Sequence, residues 1–282
     1  MLARFWVLIK DTVEGYIEDG AMSRGAAIAY YTVFSIAPLL LIATAIAGLA
    51  FGEKAVEGAI AEQLQGLLGR QGAEAVQAMV EGAANPTSGT IATVISVATL
   101  LLTASGVFAE LQTALNEIWK APPPRVDTIT RLVMARAAAL GLVAATGFLL
   151  LVSLVVSAAL AAVATWVGGL MPGMAQLLNL ANFAVSFLMV TLLFAAIYKI
   201  LPDRQLRWRD VAVGSAVTAM LFTIGKTLIG WYIGGTGIAS TYGAAGALMV
   251  VLVWVYYSSQ IFLLGAEFTK AWAGLKGSPE AR

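Results

Sequence analysis

The sequence predicts an all-α polytopic integral membrane protein built as a bundle of six transmembrane helices, and three observations predict it. Of its 282 residues 60% are hydrophobic and 12% are charged, about half of the roughly 25% that soluble domains carry. Its apolar runs are continuous and do not alternate with period two, so a backbone crossing lipid must satisfy its hydrogen bonds within helices and not in a barrel. Its basic residues are sorted to one side of those runs.

The elements follow in chain order. In residues 1–24, Leu2, Phe5, Trp6, Ile9, Val13 and Ile17 recur at helical spacing while Arg4, Lys10, Asp11, Glu14 and Glu18 take the opposite face, the pattern of an amphipathic helix lying in the membrane interface. Acids ahead of a long span argue against a cleavable signal. A helix needs roughly 20 residues to cross the hydrocarbon, and the uncharged stretches 25–52 and 82–109 each suit one span. The uncharged stretch 137–198 is long enough for two, broken by Gly168, Gly169, Pro172 and Gly173, and the apolar stretch 211–266 is broken by Gly234, Gly235, Gly237 and Gly243. The spans are therefore expected at about 27–51, 89–109, 137–166, 176–199, 211–233 and 243–266. Together with their connections they form a transmembrane domain over 25–273, followed by a short tail, 274–282. Between the first two spans, Val56, Ile60, Leu64, Leu67 and Leu68, then Ala75, Val76, Met79 and Val80, predict a short amphipathic helical cap on the outer side over 53–88. Pro122, Pro123 and Pro124 end the helix that continues span two, because consecutive prolines cannot extend it.

Six spans place both termini on one side. Fourteen of the 17 Lys and Arg residues fall on that side, whereas the 53–88 loop holds only Lys54 and Arg70 against five Glu. The positive-inside rule makes the basic side cytoplasmic.

Composition also excludes chemistry. There is no His and no Cys, which removes the usual zinc ligands, the cysteine nucleophile, the Ser-His-Asp triad and any disulfide. No nucleotide-binding motif is present. Neither a catalytic residue, a metal site nor a cofactor is expected.

Three blocks stand out in order: Gly25-Ala-Ala-Ile-Ala-Tyr-Tyr-Thr-Val-Phe-Ser-Ile-Ala-Pro38, the stretch from Leu111 to Trp119 with Ala-Leu-Asn-Glu-Ile-Trp, and Gly234-Gly-Thr-Gly-Ile-Ala-Ser-Thr-Tyr-Gly243 running on to Gly265-Ala-Glu267. With them the chain resembles the YihY/BrkB family of bacterial inner-membrane proteins, once labelled ribonuclease BN, over nearly its whole length. The resemblance implies a multi-pass protein of six helices in the bacterial inner membrane and a transport role, and it supplies no catalytic residue. Ribonuclease activity is not expected. Metal-dependent RNA cleavage needs His or clustered carboxylates held in water, and binding needs a basic, aromatic-bearing surface. No nucleic acid is expected as a partner.

Polar residues inside the bilayer are expensive and mark candidate sites. Lys226 lies roughly 6 Å to the outer side of the middle of span five. Either its ammonium snorkels outward, or it faces a cavity and meets an anionic small molecule or lipid head group. Tyr31, Ser35 and Pro38 share a face of span one, and Pro38 favours a kink. Tyr256 and Gln260 share a face of span six. These residues are candidates to line a cavity with Lys226, against the alternative of ordinary helix-to-helix hydrogen bonds. Gly234, Gly235, Gly237, Tyr242 and Gly243 are candidates for a gate, against a plain outer loop. Glu110, Glu117 and Glu267 stand at inner helix ends as a candidate cytoplasmic access point, with a solvated face or pairing to Arg204, Arg207 or Arg209 as the alternative. Gly48 with Gly52, and Gly230 with Gly234, are small residues four apart and suit close helix contact.

The function expected is therefore a secondary transporter or a lipid- or solute-translocating protein with a polar cavity between spans one, five and six. The alternative is a non-transporting membrane scaffold. Membrane lipids are the expected partners.

Overall fold

The computed structural model describes residues 2–35, 106–122, 174–236 and 246–276, together with positions 58, 65, 73, 74, 76 and 77. Among the described residues there is no strand. The helices are α1 (Leu2–Glu18), α2 (21–35), α3 (106–118), α4 (Met174–Ile200), α5 (Trp208–Thr236) and α6 (Gly246–Leu275).

Three of them are long and apolar enough to cross a membrane: Leu180–Ile200 in α4, Trp208–Ile233 in α5 and Leu248–Leu275 in α6. They fall on the expected spans 176–199, 211–233 and 243–266. The last runs further than expected because Ala266, Thr269 and Ala273 are buried, so tertiary packing carries the helix past the charged Glu267 and Lys270. Helix α2 takes in the start of the first expected span, and α3 the end of the second. The span at 137–166 and most of the 53–88 cap lie outside the described residues. Exposed aromatics agree with the spanning geometry. Trp208 and Trp231 are exposed near the two ends of α5, about 35 Å apart at 1.5 Å per residue, which suits rings anchored at the two faces of a bilayer.

Helix α6 is central, touching α5 on one side and α1 on another. The core joins its Phe262, Leu263 and Ala266 to Tyr198 of α4, Val211 and Ala219 of α5, Leu115 and Ile118 of α3, and Trp119 in the turn that follows α3. Among the described residues, close approach is set by Gly214 and Gly265. A methyl group on Gly265 would overlap the Thr218 hydroxyl and come within 2.7 Å of the Tyr198 hydroxyl, and one on Gly214 would overlap the Thr269 side chain. Gly230 faces open space, so it makes no such contact, and Gly48 and Gly52 lie outside the described residues.

Helix α1 has three sides. Leu8, Thr12 and Asp19 are buried against the bundle, and the Thr12 hydroxyl turns back to the carbonyl of Leu8 at 2.7 Å. Phe5, Trp6, Ile9, Val13 and Ile17 are exposed as an apolar face, and Lys10 and Glu14 pair at 3.5 Å on the polar face. The helix stops at Gly20, whose φ of 63° is in the left-handed region, and α2 starts at once, with the Ser23 and Arg24 amides bonded to the Gly20 carbonyl.

The two kinds of glycine separate on substitution. Gly265→Ala is expected to lower stability by about 1–3 kcal/mol through overpacking. Gly230→Ala, in open space within a helix, is expected to raise it by about 0.5–1 kcal/mol. Thermal melting of the purified protein in detergent measures both, and equal effects would show that Gly265 is not a packing notch.

Candidate functional site

The helix ends at which α1 stops, α2 begins, α3 and α4 end and α5 begins gather a cluster of ionic contacts. Asp19 is their hub. Its backbone follows the last turn of α1, and its carboxylate is 5% exposed and takes Lys120 on Oδ1 and Lys270, at 3.2 Å, on Oδ2. Burial opposes ionisation of Asp19, but the two lysines override it and hold the carboxyl below its ordinary value. The hydrogen bond to Asp19 in turn holds Lys120 above its ordinary value, against the effect of its partial burial. Lys270 also reaches Glu267, at 3.7 Å. Arg24 connects α2 to α3, lying 2.5 Å from Glu117 and 3.9 Å from Glu110.

Lys120 sits in an unusual place for a lysine. The Ala121 amide bonds the Asn116 carbonyl and the Lys120 amide bonds the Glu117 carbonyl, which together make a Schellman cap with residue 120 at the position usually given to glycine. Its φ of 47° is the left-handed conformation that a Cβ disfavours. The ion pair to Asp19 is the compensation visible in the structure.

The turn between α4 and α5 is tied to the same end. Asn116 and Gln112 donate to the Asp203 carboxylate at 2.7 and 3.1 Å, the Asp203 amide donates to Asn116 at 2.8 Å, and Arg204 donates to the Trp119 carbonyl at 2.7 Å. Lys199 donates to the Leu206 carbonyl and lies over the Trp208 ring, 5.5 Å from its centre. The Ala-Leu-Asn-Glu-Ile-Trp block thus has a physical reading. Ala114, Leu115, Ile118 and Trp119 are core, while Asn116 and Glu117 turn outward to clasp Asp203 and Arg24.

An open cleft of about 460 Å³ lies here, lined by Glu18, Asp19, Gly20, Ser23, Arg24, Glu110 and Glu117. Four carboxylates and one guanidinium line it, and with Lys120 and Lys270 held on Asp19 the remaining balance is mildly acidic. Deeper in, a polar seam runs between α1, α2 and α6. The Tyr16 hydroxyl donates to the side-chain carbonyl of Gln260, whose amide packs on Gly25 and has its nitrogen buried with no partner among the described residues. Burial, with Tyr256 nearby, raises the Tyr16 phenol above its ordinary value. Nearer the cleft, Glu267 packs against Gly15.

The expected site residues divide accordingly. Glu110, Glu117 and Glu267 do stand at this one end, and the partner found for the first two is Arg24, which sequence reasoning passed over. Gln260 meets Tyr16, with Tyr256 nearby. Tyr31 packs instead on Gly106. Ser35 is buried and bonds the Thr32 carbonyl at 3.2 Å, and Pro38 lies outside the described residues. Lys226 is exposed on α5, and its neighbour Gly225 is the residue that packs on Tyr257 and Ile261. It lies about 7 Å short of Trp231 along the helix, within reach of the interface for a lysine stem. Gly234 and Gly235 belong to α5, so that helix runs to Thr236 before any break. Gly237, Tyr242 and Gly243 lie outside the described residues. Asp19, Lys120 and Lys270 carried no local signal beyond being charges near helix ends.

Apolar helices of spanning length, joined at one end by ion pairs, define a helical membrane protein. Residues 12–281 match the family described as Virulence factor BrkB, and the chain belongs to that family. It is similar to UPF0761 membrane proteins of Alkalilimnicola ehrlichii (27% identical, over 92% of this chain and 57% of the relative), Alcanivorax borkumensis (26%, over 95% and 60%) and Pseudomonas aeruginosa (28%, over 89% and 59%). The chain thus spans about three-fifths of the length of these curated relatives. No solved structure matches it.

Residue 120 separates strain from charge. Both Lys120→Ala and Lys120→Gly lose the ion pair, but only glycine relieves the backbone, so the glycine variant is expected to be the more stable of the two by about 1 kcal/mol. The sign of the acid response follows from the lowered Asp19 carboxyl. Its contribution is present above the ordinary carboxylate range and is lost as pH falls below about 4. Melting temperatures should therefore drop more on acidification in the wild type than in Asp19→Asn.

Proposed function

We propose that this chain is a transporter or a lipid- or solute-translocating protein of the bacterial inner membrane, with six spans at about the positions expected from the sequence and both termini in the cytoplasm. The observation that carries the reading is the acidic cleft joined to a polar seam along α6. A bundle that only needed to be stable would bury apolar residues there, because polar groups left unpaired in a membrane interior are costly. On this reading the cleft is the cytoplasmic mouth, and the line of Glu267, Gln260 and Tyr256 on α6, walled by Tyr16 and Gly25, is the start of the path. The path proposed lies on the α1 and α2 side of α6, away from Lys226.

Lys226 then has a separate role. On this reading it meets the anionic head group of a membrane lipid, which its exposure among Ile224 and Leu228 supports. The apolar face of α1, with Phe5, Trp6 and Ile17, lies in the inner interface beside the mouth. No catalytic chemistry is part of the proposal.

Orientation is checked with single cysteines, clean probes because the chain has none of its own. A cysteine at Gly72 is expected to react with an impermeant thiol reagent outside intact cells and one at Asp127 is not; reversed labelling would overturn the topology. Function is checked by reconstituting the full chain in phospholipid vesicles and following protons, potassium and a fluorescent phospholipid. At least one is expected to move faster than in empty vesicles. Ser23→Trp, at an exposed position lining the cleft, should slow it by about tenfold or more, a barrier change of roughly 1.4 kcal/mol. Movement no faster than in empty vesicles for every probe would favour the scaffold alternative.

A further inference from the structure

Beneath the cleft, at the start of the proposed path, lies a buried carboxyl. Glu267 is 1% exposed, one of the largest fully buried side chains of the structure. Its Oε1 has no hydrogen-bond partner among the described residues, and its Oε2 has Lys270 at 3.7 Å. That lysine is nearer to Asp19, at 3.2 Å, and Asp19 also holds Lys120. The charged groups acting on Glu267 are therefore Lys270 on its own helix, Asp19 following α1 and Lys120 following α3. Two carboxylates share two ammonium groups, and the sharing is unequal. Asp19 takes both lysines at short range, whereas Glu267 has part of one at longer range and an empty oxygen.

From this geometry we infer that Glu267 and Asp19 form a proton-binding site, with the proton carried on Glu267 and exchanged with the cleft through Asp19. The role of that proton as a coupling ion rests on the transport reading; the site itself does not. Two carboxyl groups this close cannot both ionise without strain unless cations compensate both, and here compensation is complete only for Asp19. Protonation forms one O–H bond on the Glu267 carboxyl and makes it a donor toward the neighbouring Asp19 carboxylate. Release breaks that bond and returns the proton to water, with nothing else exchanged. Access is built in, since Asp19 lines the cleft as well as touching this cluster. The wall opposite is the backbone of α1 at Gly15, where a methyl group would stand 2.5 Å from Oε2. Any side chain at 15 would therefore press on the site.

The experiment is infrared difference spectroscopy of the purified full chain, read at the carbonyl stretch of a protonated carboxyl while pH is taken from about 9 to about 5. A band that grows over this range and is missing in Glu267→Gln supports the site. A band absent from the wild type, or unchanged in Glu267→Gln, overturns it. Lys270→Met, which removes the cation paired with Glu267, should make the band appear at higher pH, and an unmoved band would count against the assignment. A second measurement needs no variant. Dicyclohexylcarbodiimide attacks protonated buried carboxyls, so peptide mass spectrometry should find Glu267 labelled at low pH and protected at high pH; pH-independent labelling overturns the proposal. The vesicle assay keeps the two readings apart. A titrating Glu267 in vesicles that carry nothing would leave the site standing and remove transport, whereas transport with no titrating carboxyl would do the reverse.

Discussion

Tyr198 of α4 donates its hydroxyl hydrogen to the Phe262 carbonyl of α6 at 2.7 Å and stands 3.1 Å from the Thr218 hydroxyl of α5. This three-helix contact is possible only because residue 265 has no Cβ. Thr218 bonds back to the Gly214 carbonyl and Thr269 to the Gly265 carbonyl, so every hydroxyl in the joint is used and none is left to water. Lipid offers no hydrophobic gain for bringing helices together, and close van der Waals approach with satisfied polar groups has to supply the association. The joint fixes α6 against α4 and α5. Its other side is left free to carry Glu267, Gln260 and Tyr256 toward α1 and α2.

That division of α6 explains why polar groups are concentrated on one side of the bundle. Towards α5 the contacts are small residues, hydroxyls and the aromatic cluster of Phe194, Phe222, Phe262 and Trp254. Towards α1 and α2 they are a phenol on an amide and carboxylates among lysines. The charged end continues through Arg24 with Glu110 and Glu117, and through Asp203 with Asn116. Individually such partly exposed pairs contribute little. Collectively they tie together five chain segments that no disulfide can hold, since the chain has no Cys.

The class of fold was legible because its signal is large. The described parts of the apolar stretches 176–199, 211–233 and 243–266 lie on α4, α5 and α6, and the helical spacing of apolar residues from Leu2 to Ile17 falls within α1. The site was legible only in part. Gln260 and Glu267 could be picked out because a polar residue inside an apolar run is anomalous by itself. Asp19, Lys120 and Lys270 could not, because each is an ordinary charge near a helix end and only the fold brings them together. Lys226 shows the converse case. An isolated charge is conspicuous in sequence wherever it points, and the exposed face of α5 on which it sits is fixed by Gly214 and Gly225 packing on α6, which is tertiary information. Gly230 misled for the same reason: spacing says that close contact is possible, and not that a partner is there.

Helix α1 joins the two halves of this chemistry. Its apolar face is open on the outside of the bundle, while its buried side presents Tyr16 to Gln260 and Gly15 to Glu267, and its end presents Asp19 to both lysines. Helix and turn leave no slack between these roles. Asp19 is bonded by its amide to the Gly15 carbonyl at 2.9 Å, so a tilt of α1 large enough to move Gly15 off Glu267 also moves the Asp19 carboxylate relative to Lys120 and Lys270. The exposed apolar face with Trp6 and Phe5 and the wall against the buried carboxyl at Gly15 thus belong to one continuous helix. On the proposed proton site, the charge that Glu267 carries bears directly on this end of α1, because Lys270 is shared between Glu267 and Asp19.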